Sequence, residues 1–394
     1  MKTIIISLLL IIFSFSRSEA QTDITDSFPH NGLIRSYILH LPPSYNSIDH
    51  FPVVVVLHGG GSGNGEDLLL NHHFDEVGDT ANYISLFPNG YYNDWADGRG
   101  VSQADTAGID DVSFLNSLVE HLSEKFTIDT SRMYICGVSN GGMLVQKLAC
   151  ESPYKFSAFA SIIASMPDSI VHHCNPDQSV PIILMNGTSD AWVPYSGGPL
   201  GPITNGGSVI GTDSTISIWQ SLNSCIQTFP DSLNLTDIVF TDNCDVTRFN
   251  YGICTDSSEI ILYRINNGGH TIPGMESPVN PIPFFGYINY DIDAAIEIWK
   301  FFRKHSKTRN ITLISENITN LNFRVYPNPT SGIAYLIIPN LTDFEISVFN
   351  SIGQKVTDVN KDGYLNLSNK SNGIYYVMII VKNQKTTGQF VIKY

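Results

Sequence analysis

Positive charge is scarce in this chain. Its 22 lysines and arginines face 37 aspartates and glutamates, a formal charge of −15, and no basic patch stands out. A surface of that sign repels nucleic acid and anionic lipid, so neither is an expected partner. Long apolar runs are also lacking: the stretch from Ile4 to Phe15 is too short to span a bilayer, and no other segment is long enough, so no transmembrane segment is expected. The cysteines have no C-x-x-C spacing, and no carboxylate pattern accompanies the adjacent pairs His72-His73 and His172-His173. Packing or surface roles suit those histidines, and neither metal nor cofactor is expected. Solenoid repeats are absent as well.

What is present is a 394-residue chain, 42% hydrophobic and 15% charged, enough for two or three domains with full cores. Lys2, the apolar run after it and Ser18-Glu19-Ala20 before Gln21 follow the secretory pattern, so residues 1–20 read as a signal peptide and the mature protein as exported and soluble. Export makes the six cysteines disulfide candidates, with 15 complete pairings open. Cys136 lies on a buried strand and reads as a free core thiol.

Strand and helix patterns alternate from residue 33 to 305. Leu33 to Leu41, Phe51 to Leu57, Ile84 to Phe87, Met133 to Cys136, Phe156 to Ala164, Pro181 to Met185 and Glu259 to Ile265 read as strands. Helices are predicted over Asp67 to Ala81, over Asp110 to Phe126 with Asp110 or Asp111 near its start, over Gly142 to Cys150, over Ile216 to Leu222 and over Asp291 to His305. The run FPVVVVL is what a strand buried on both faces of a parallel sheet requires. Asn223 to Cys254 reads as irregular. The expected fold is therefore α/β, a mainly parallel sheet covered by helices over 22–305. After a polar linker over 306–322, residues 323–394 show short strands separated by turn signals such as Asn328-Pro329-Thr330-Ser331-Gly332, a small all-β sandwich.

The chemistry centres on Gly137-Val138-Ser139-Asn140-Gly141, placed between a strand and a helix. Such an elbow holds a serine on a strained turn with its hydroxyl above the sheet. Ser139 is the candidate nucleophile; His270, among glycines after the last strand, is its candidate base. Asp190, at the end of Asn186-Gly187-Thr188-Ser189-Asp190, is the candidate carboxylate that orients the imidazole, with Asp213 and Asp168 as competitors. The order Ser, Asp, His suits an α/β-hydrolase. For a developing oxyanion, the loop His58-Gly59-Gly60-Gly61 and the amide after the nucleophile offer donors: Gly60 and Asn140 are the candidates, with Gly61 an alternative to Gly60. His58 is assigned to loop shape. Trp95 and Trp192 are candidate substrate-lining residues, with core packing as the competing role for each.

Together, the blocks Leu57 to Gly61, Phe87-Pro88-Asn89-Gly90, Gly137 to Met143, Asn186 to Asp190 with Val193-Pro194-Tyr195, and Gly269-His270-Thr271-Ile272-Pro273-Gly274 resemble the secreted polyhydroxybutyrate depolymerase and feruloyl esterase family, over roughly residues 30–304. The resemblance implies an α/β-hydrolase, no metal, Ser139, Asp190 and His270 as the triad, and Cys150–Cys174 and Cys225–Cys254 as disulfides, leaving Cys244 without an obvious partner. Where the family often has a tryptophan between the histidine and the following proline, this chain has Ile272. The expected activity is a serine esterase acting on feruloyl or acetyl esters of plant polysaccharide. A polyhydroxybutyrate or polyester depolymerase and a non-catalytic surface or carbohydrate-binding protein with a hydrolase shell are the alternatives. Residues 323–394, with Val325-Tyr326-Pro327-Asn328-Pro329, Val348-Phe349-Asn350-Ser351-Ile352-Gly353 and Gly373-Ile374-Tyr375-Tyr376, resemble a type IX (Por) secretion-system sorting domain. That implies the secretion machinery as a partner and a secreted or outer-surface location.

Overall fold

The computed structural model describes residues 22–61, 63–201, 206–226, 229–275, 282–307, 324–328, 330–337, 345–350, 354–359, 364–381 and 384–392. The segment read as a signal peptide, and nearly all of that read as a linker, lie outside these residues. The chain divides into two compact units, Met1–Thr308 and Arg309–Tyr394.

The first unit is built on one ten-stranded sheet. Its strands are β1 (Thr22–His30), β2 (Leu33–Leu41), β3 (Phe51–Leu57), β4 (Ile84–Pro88), β5 (Ile128–Val138), β6 (Ala158–Ile162), β7 (Ile182–Gly187), then, after a small separate hairpin of β8 (Gly197–Pro199) and β9 (Ser208–Ile210), β10 (Asp231–Asn234), β11 (Asp245–Ile253) and β12 (Glu259–Asn266). The spatial order is β1-β2-β4-β3-β5-β6-β7-β12-β11-β10. The six strands from β4 to β12 in that order run parallel, while β1-β2 at one edge and β11-β10 at the other are antiparallel.

The continuous apolar run of β3 is buried at every position. Val53, Val55 and Leu57 face a core that includes Phe114, Leu115, Leu118, Leu144, Leu148 and Trp219. Val54 and Val56 face the opposite core, with Phe74, Tyr83, Ile298 and Phe302. Helices Asp111–Lys125, Asn140–Glu151 and Thr212–Leu222 thus cover one face and Ala294–Phe302 the other, because a strand apolar on both sides needs a lid on each.

Two expectations need correction. The helix expected over 67–81 is two, Gly65–Asn71 and Phe74–Ala81, broken where His73 adopts φ +57°. The stretch Asn223 to Cys254 is not wholly irregular: it holds β10 and β11, which extend the sheet antiparallel. Their hydrophobic pattern is weak because β10 is exposed at all four positions. β1 was not anticipated. It is bound to the body by His40, whose Nδ1 lies 2.7 Å from Asp23 Oδ1 and Nε2 2.8 Å from Asp79 Oδ1.

Cys150–Cys174 and Cys225–Cys254 are disulfides, and Cys136 and Cys244 are buried free thiols. In the second unit, β13 (Arg324–Tyr326), β14 (Ile333–Ile337), β15 (Glu345–Asn350), β16 (Lys355–Val359), β17 (Tyr364–Asn366), β18 (Gly373–Val381) and β19 (Gln384–Ile392) form antiparallel sheets of order β13-β14-β17 and β16-β15-β18-β19. Leu336, Ile346, Val348, Leu365 and Val377 lie in its core. Among the described residues no helix is long and apolar enough to cross a membrane.

Candidate active site

β5 ends at Val138, and Ser139 follows at φ +53° and ψ −117°, a left-handed turn unfavourable for a residue with a side chain. The helix Asn140–Glu151 starts immediately afterwards. Two glycines make this turn possible. A methyl group at Gly137 would strike the Gly141 carbonyl, and one at Gly141 the His58 carbonyl.

Sheet order brings the other groups to the same end. β7 and β12 are neighbours, so the loops after them run side by side and carry Asp190 and His270. His270 Nδ1 lies 2.7 Å from Asp190 Oδ2, and His270 Nε2 lies 2.9 Å from Ser139 Oγ. Asp190 is buried; its Oδ1 accepts the backbone N–H groups of Trp192 and Val193, each at 2.8 Å. An ionised carboxylate only accepts, so the imidazole carries its proton on Nδ1 and presents the lone pair of Nε2 to the serine hydroxyl, which donates. The competitors for the carboxylate lie elsewhere: Asp213 accepts from Tyr195 and Asp168 from Ser208.

β3 lies beside β5, and this sets the loop after β3 against the elbow. A Cβ built on Gly59 would lie 3.5 Å from Ser139 Cβ, and one on Gly60 3.1 Å from Asn140 Cβ. The backbone N–H of Asn140, first in its helix, has no carbonyl four residues back to bond. His58 supports the loop from beneath. Its Nε2 accepts the N–H of Gly90 at 2.9 Å, so its Nδ1 carries the proton and donates to the Gly59 carbonyl at 2.7 Å. Burial pushes its pKa down to about 4, which keeps the ring neutral and that tautomer in place.

The side chain of Asn140 is held on three sides. Its Oδ1 accepts the Trp95 N–H at 2.8 Å, and its Nδ2 donates to the Trp95 carbonyl at 3.1 Å and to Asp97 Oδ2 at 2.5 Å. Asp97 also pairs with Arg99 at 2.7 Å. Below this loop, Arg35 and Asp111 form a buried ion pair at 2.7 Å. Asp111 accepts the Ala96 N–H at 2.8 Å, and the guanidinium lies 3.9 Å from the Phe114 ring centroid.

Residues 35–191 match the family model described as Esterase PHB depolymerase, and residues 324–393 the Secretion system C-terminal sorting domain. Residues 35–191 thus carry an esterase domain similar to those of PHB depolymerases. Relatives include NocK of Nocardia uniformis subsp. tsuyamanensis, described as an esterase and 24% identical over 64% of this chain and 74% of its own length. The bifunctional acetylxylan esterase/xylanase XynS20E of Neocallimastix patriciarum is 26% identical over 40% of this chain, and feruloyl esterase B of Piromyces equi 28% over 41%. The matched regions span only 22% and 29% of those two proteins. A solved acetyl xylan esterase from Aspergillus awamori aligns with TM-score 0.44 and 14% identity over 62% of this chain and 92% of its own.

Within the first unit the two tryptophans Trp95 and Trp192 part company. Trp95 is fully buried, its Nε1 donating to the His58 carbonyl at 2.9 Å, so of the two roles weighed for it core packing holds: it props up the loop after β3 and lines no pocket. Its backbone explains this: its own N–H and carbonyl are tied to Asn140, and the N–H of the next residue, Ala96, to Asp111. Trp192 is part-exposed, with its ring centroid 6.3 Å from that of His270. His73 pairs with Asp293 at 2.7 Å, in keeping with a packing role. No group of three or more His, Cys, Asp or Glu that could hold a metal occurs among the described residues. Sequence reasoning missed Arg35, Asp97 and Asp111 as supports. The density of carboxylates in Asp94-Trp95-Ala96-Asp97, amid apolar elements, was the available signal.

Proposed function

We propose that this chain is an exported serine esterase that hydrolyses carboxylic esters through an acyl-enzyme, with Ser139 as nucleophile, His270 as general base and acid, and Asp190 as the group that orients and stabilises the imidazolium. The observation that carries this reading is the hydrogen-bonded series Asp190–His270–Ser139 at 2.7 and 2.9 Å on a strained elbow. Ser139 Oγ attacks the ester carbonyl while its proton passes to His270 Nε2. The carbonyl oxygen gains charge and takes hydrogen bonds from the backbone N–H groups of Gly60 and Asn140. Collapse breaks the bond to the alcohol, which leaves with the proton from Nε2. A water molecule then repeats the sequence on the acyl-enzyme, giving up its proton to Nε2 and releasing the acid and Ser139.

The substrate class proposed is feruloyl or acetyl ester on plant polysaccharide, since the relatives include proteins named for feruloyl and acetylxylan ester hydrolysis. The family's name favours a second reading, a polyhydroxybutyrate depolymerase, with the same chemistry and a different acyl chain. A non-catalytic carbohydrate-binding shell would have no need to keep a strained serine within reach of a carboxylate-anchored histidine. We further propose a signal peptide over 1–20, an esterase unit over 22–305, a linker over 306–322 and a sorting module over 323–394 that engages the type IX secretion machinery and directs the enzyme to the outside.

Hydrolysis of a chromogenic acetate by the wild type and Ser139→Ala tests the chemistry; equal rates would end the reading. Methyl ferulate, acetylated xylan and polyhydroxybutyrate assayed side by side decide the acyl class.

A further inference from the structure

The chain has four tryptophans. Trp95 and Trp219 are fully buried, and Trp299 packs against Tyr83 and Tyr134. Trp192 is different. Its ring lies 5.6 Å from that of Phe285 and 6.3 Å from that of His270, inclined by 29° to each. Its Nε1 donates to the Phe284 carbonyl at 2.7 Å, and its own N–H to Asp190. Phe285 is tied to the same loop, since its carbonyl accepts the His270 N–H at 2.5 Å, yet the residue is 43% exposed. Two aromatic residues are thus bonded through their backbones to the acid and the base, and left partly open to solvent.

We propose, on the basis of the esterase reading above, that Trp192 and Phe285 form a stacking platform for a sugar ring in the leaving alcohol. Two physical arguments carry this. The first is position. His270 returns its proton to the departing oxygen, so the alcohol sits at Nε2, and a wall flanking the imidazole meets the alcohol before the acyl chain. The carbonyl oxygen points the other way, toward Gly60 and Asn140. The second is chemistry. A sugar has one flat face of C–H groups and a rim of hydroxyls. It suits a part-open aromatic surface that covers the apolar face and leaves the rim in water, whereas an acyl pocket for a free-standing apolar group would be enclosed. Ile272, two residues after the histidine, is buried and aliphatic, so the aromatic wall at this site comes from other loops.

The test compares each acyl group on two alcohols: methyl ferulate with a feruloylated arabinoxylan oligosaccharide, and methyl acetate with an acetylated xylo-oligosaccharide. In Phe285→Ala and Trp192→Ala the ratio of kcat/KM for the sugar ester over the methyl ester should drop about tenfold, mainly through KM. An unchanged ratio overturns the proposal. So does a change confined to methyl ferulate against methyl acetate, which would put the rings on the acyl side. A second measurement needs no turnover: xylotriose titrated into the full-length protein should shift the indole emission of the wild type and not that of Trp192→Phe, and silence in the wild type overturns the platform. Failure of the esterase reading looks different, as no ester would then be cleaved faster by the wild type than by Ser139→Ala.

Discussion

Around Ser139 the walls are polar and closed, whereas around His270 they are aromatic and partly open. On the first side Asn140, Asp97 and Asp111 are buried and linked by hydrogen bonds to the backbone of residues 95 and 96 and to Arg99 and Arg35. On the second, Trp192 and Phe285 stack at a rim where only their backbones and one indole nitrogen are fixed. The contrast follows from what each half does. Donors aimed at a developing oxyanion must be in place beforehand, and buried polar networks hold position because any displacement leaves a group unsatisfied. A surface that accepts an alcohol of variable shape needs area rather than precision.

The largest effect should come where the halves meet. Ser139→Ala is expected to lower kcat by at least about 10⁴-fold against every ester, and Asp190→Asn by a similar order, since an amide can present a donor to Nδ1 and favour the wrong tautomer. Steady-state assays check both, and retention of substantial activity by Asp190→Asn would show that the carboxylate is dispensable.

Asn140→Ala breaks only the closed half. It leaves the Trp95 N–H with only its longer bond to Asp94 Oδ1, at 3.2 Å, and Asp97 with only Arg99, at a cost of about 0.5 to 1.5 kcal/mol for each hydrogen bond lost in chemical denaturation. Loosening of the elbow and the loop after β3 should reduce kcat roughly 10- to 100-fold, with the sugar-to-methyl ratio unchanged. A fall in that ratio would mean that the halves are not separable.

The closed half should also carry its own pH signature. Burial raises the Asp97 pKa to about 6, against the opposing influence of Arg99 and the Asn140 hydrogen bond. A carboxyl raised above its unfolded value stabilises the fold while protonated, and that contribution is lost as pH climbs from the ordinary aspartate range to about 6. Asp97→Asn should therefore gain stability relative to the wild type over this interval, by roughly 1 to 3 kcal/mol. Parallel melting curves across the interval would show no such gain if the carboxylate were fully compensated.

The smallest stability effect is expected in the open half. Phe285→Ala should change the unfolding free energy by about 1 kcal/mol or less, because the ring is already partly in water. A much larger loss would make Phe285 a packing residue and weaken its assignment to substrate.

Much of this was legible beforehand because it is local. The box around Ser139 names its own turn, since two glycines and a serine between a buried strand and an amphipathic helix leave few other conformations. The β3 run had to be buried on two faces, and the residues after each parallel strand had to fall at one end of the sheet. Resemblance supplied the disulfide pairs. Less was legible where contacts are distant. β10 has no apolar face, so its pairing with β11 could not be read from period. Asp111 and Arg35 lie 76 positions apart and signal nothing singly. Trp95 and Trp192 are equal as letters.

The order of residues alone determined the elbow, the two-faced core strands and the change to short β elements after residue 323, because each follows from steric limits or periodicity over a few neighbours. Tertiary structure decided which aspartate meets His270, which tryptophan lies inside and which beside the imidazole, and which buried charges hold the loop after β3. Those choices depend on strand order and on desolvation, and both exist only once distant segments have been brought together.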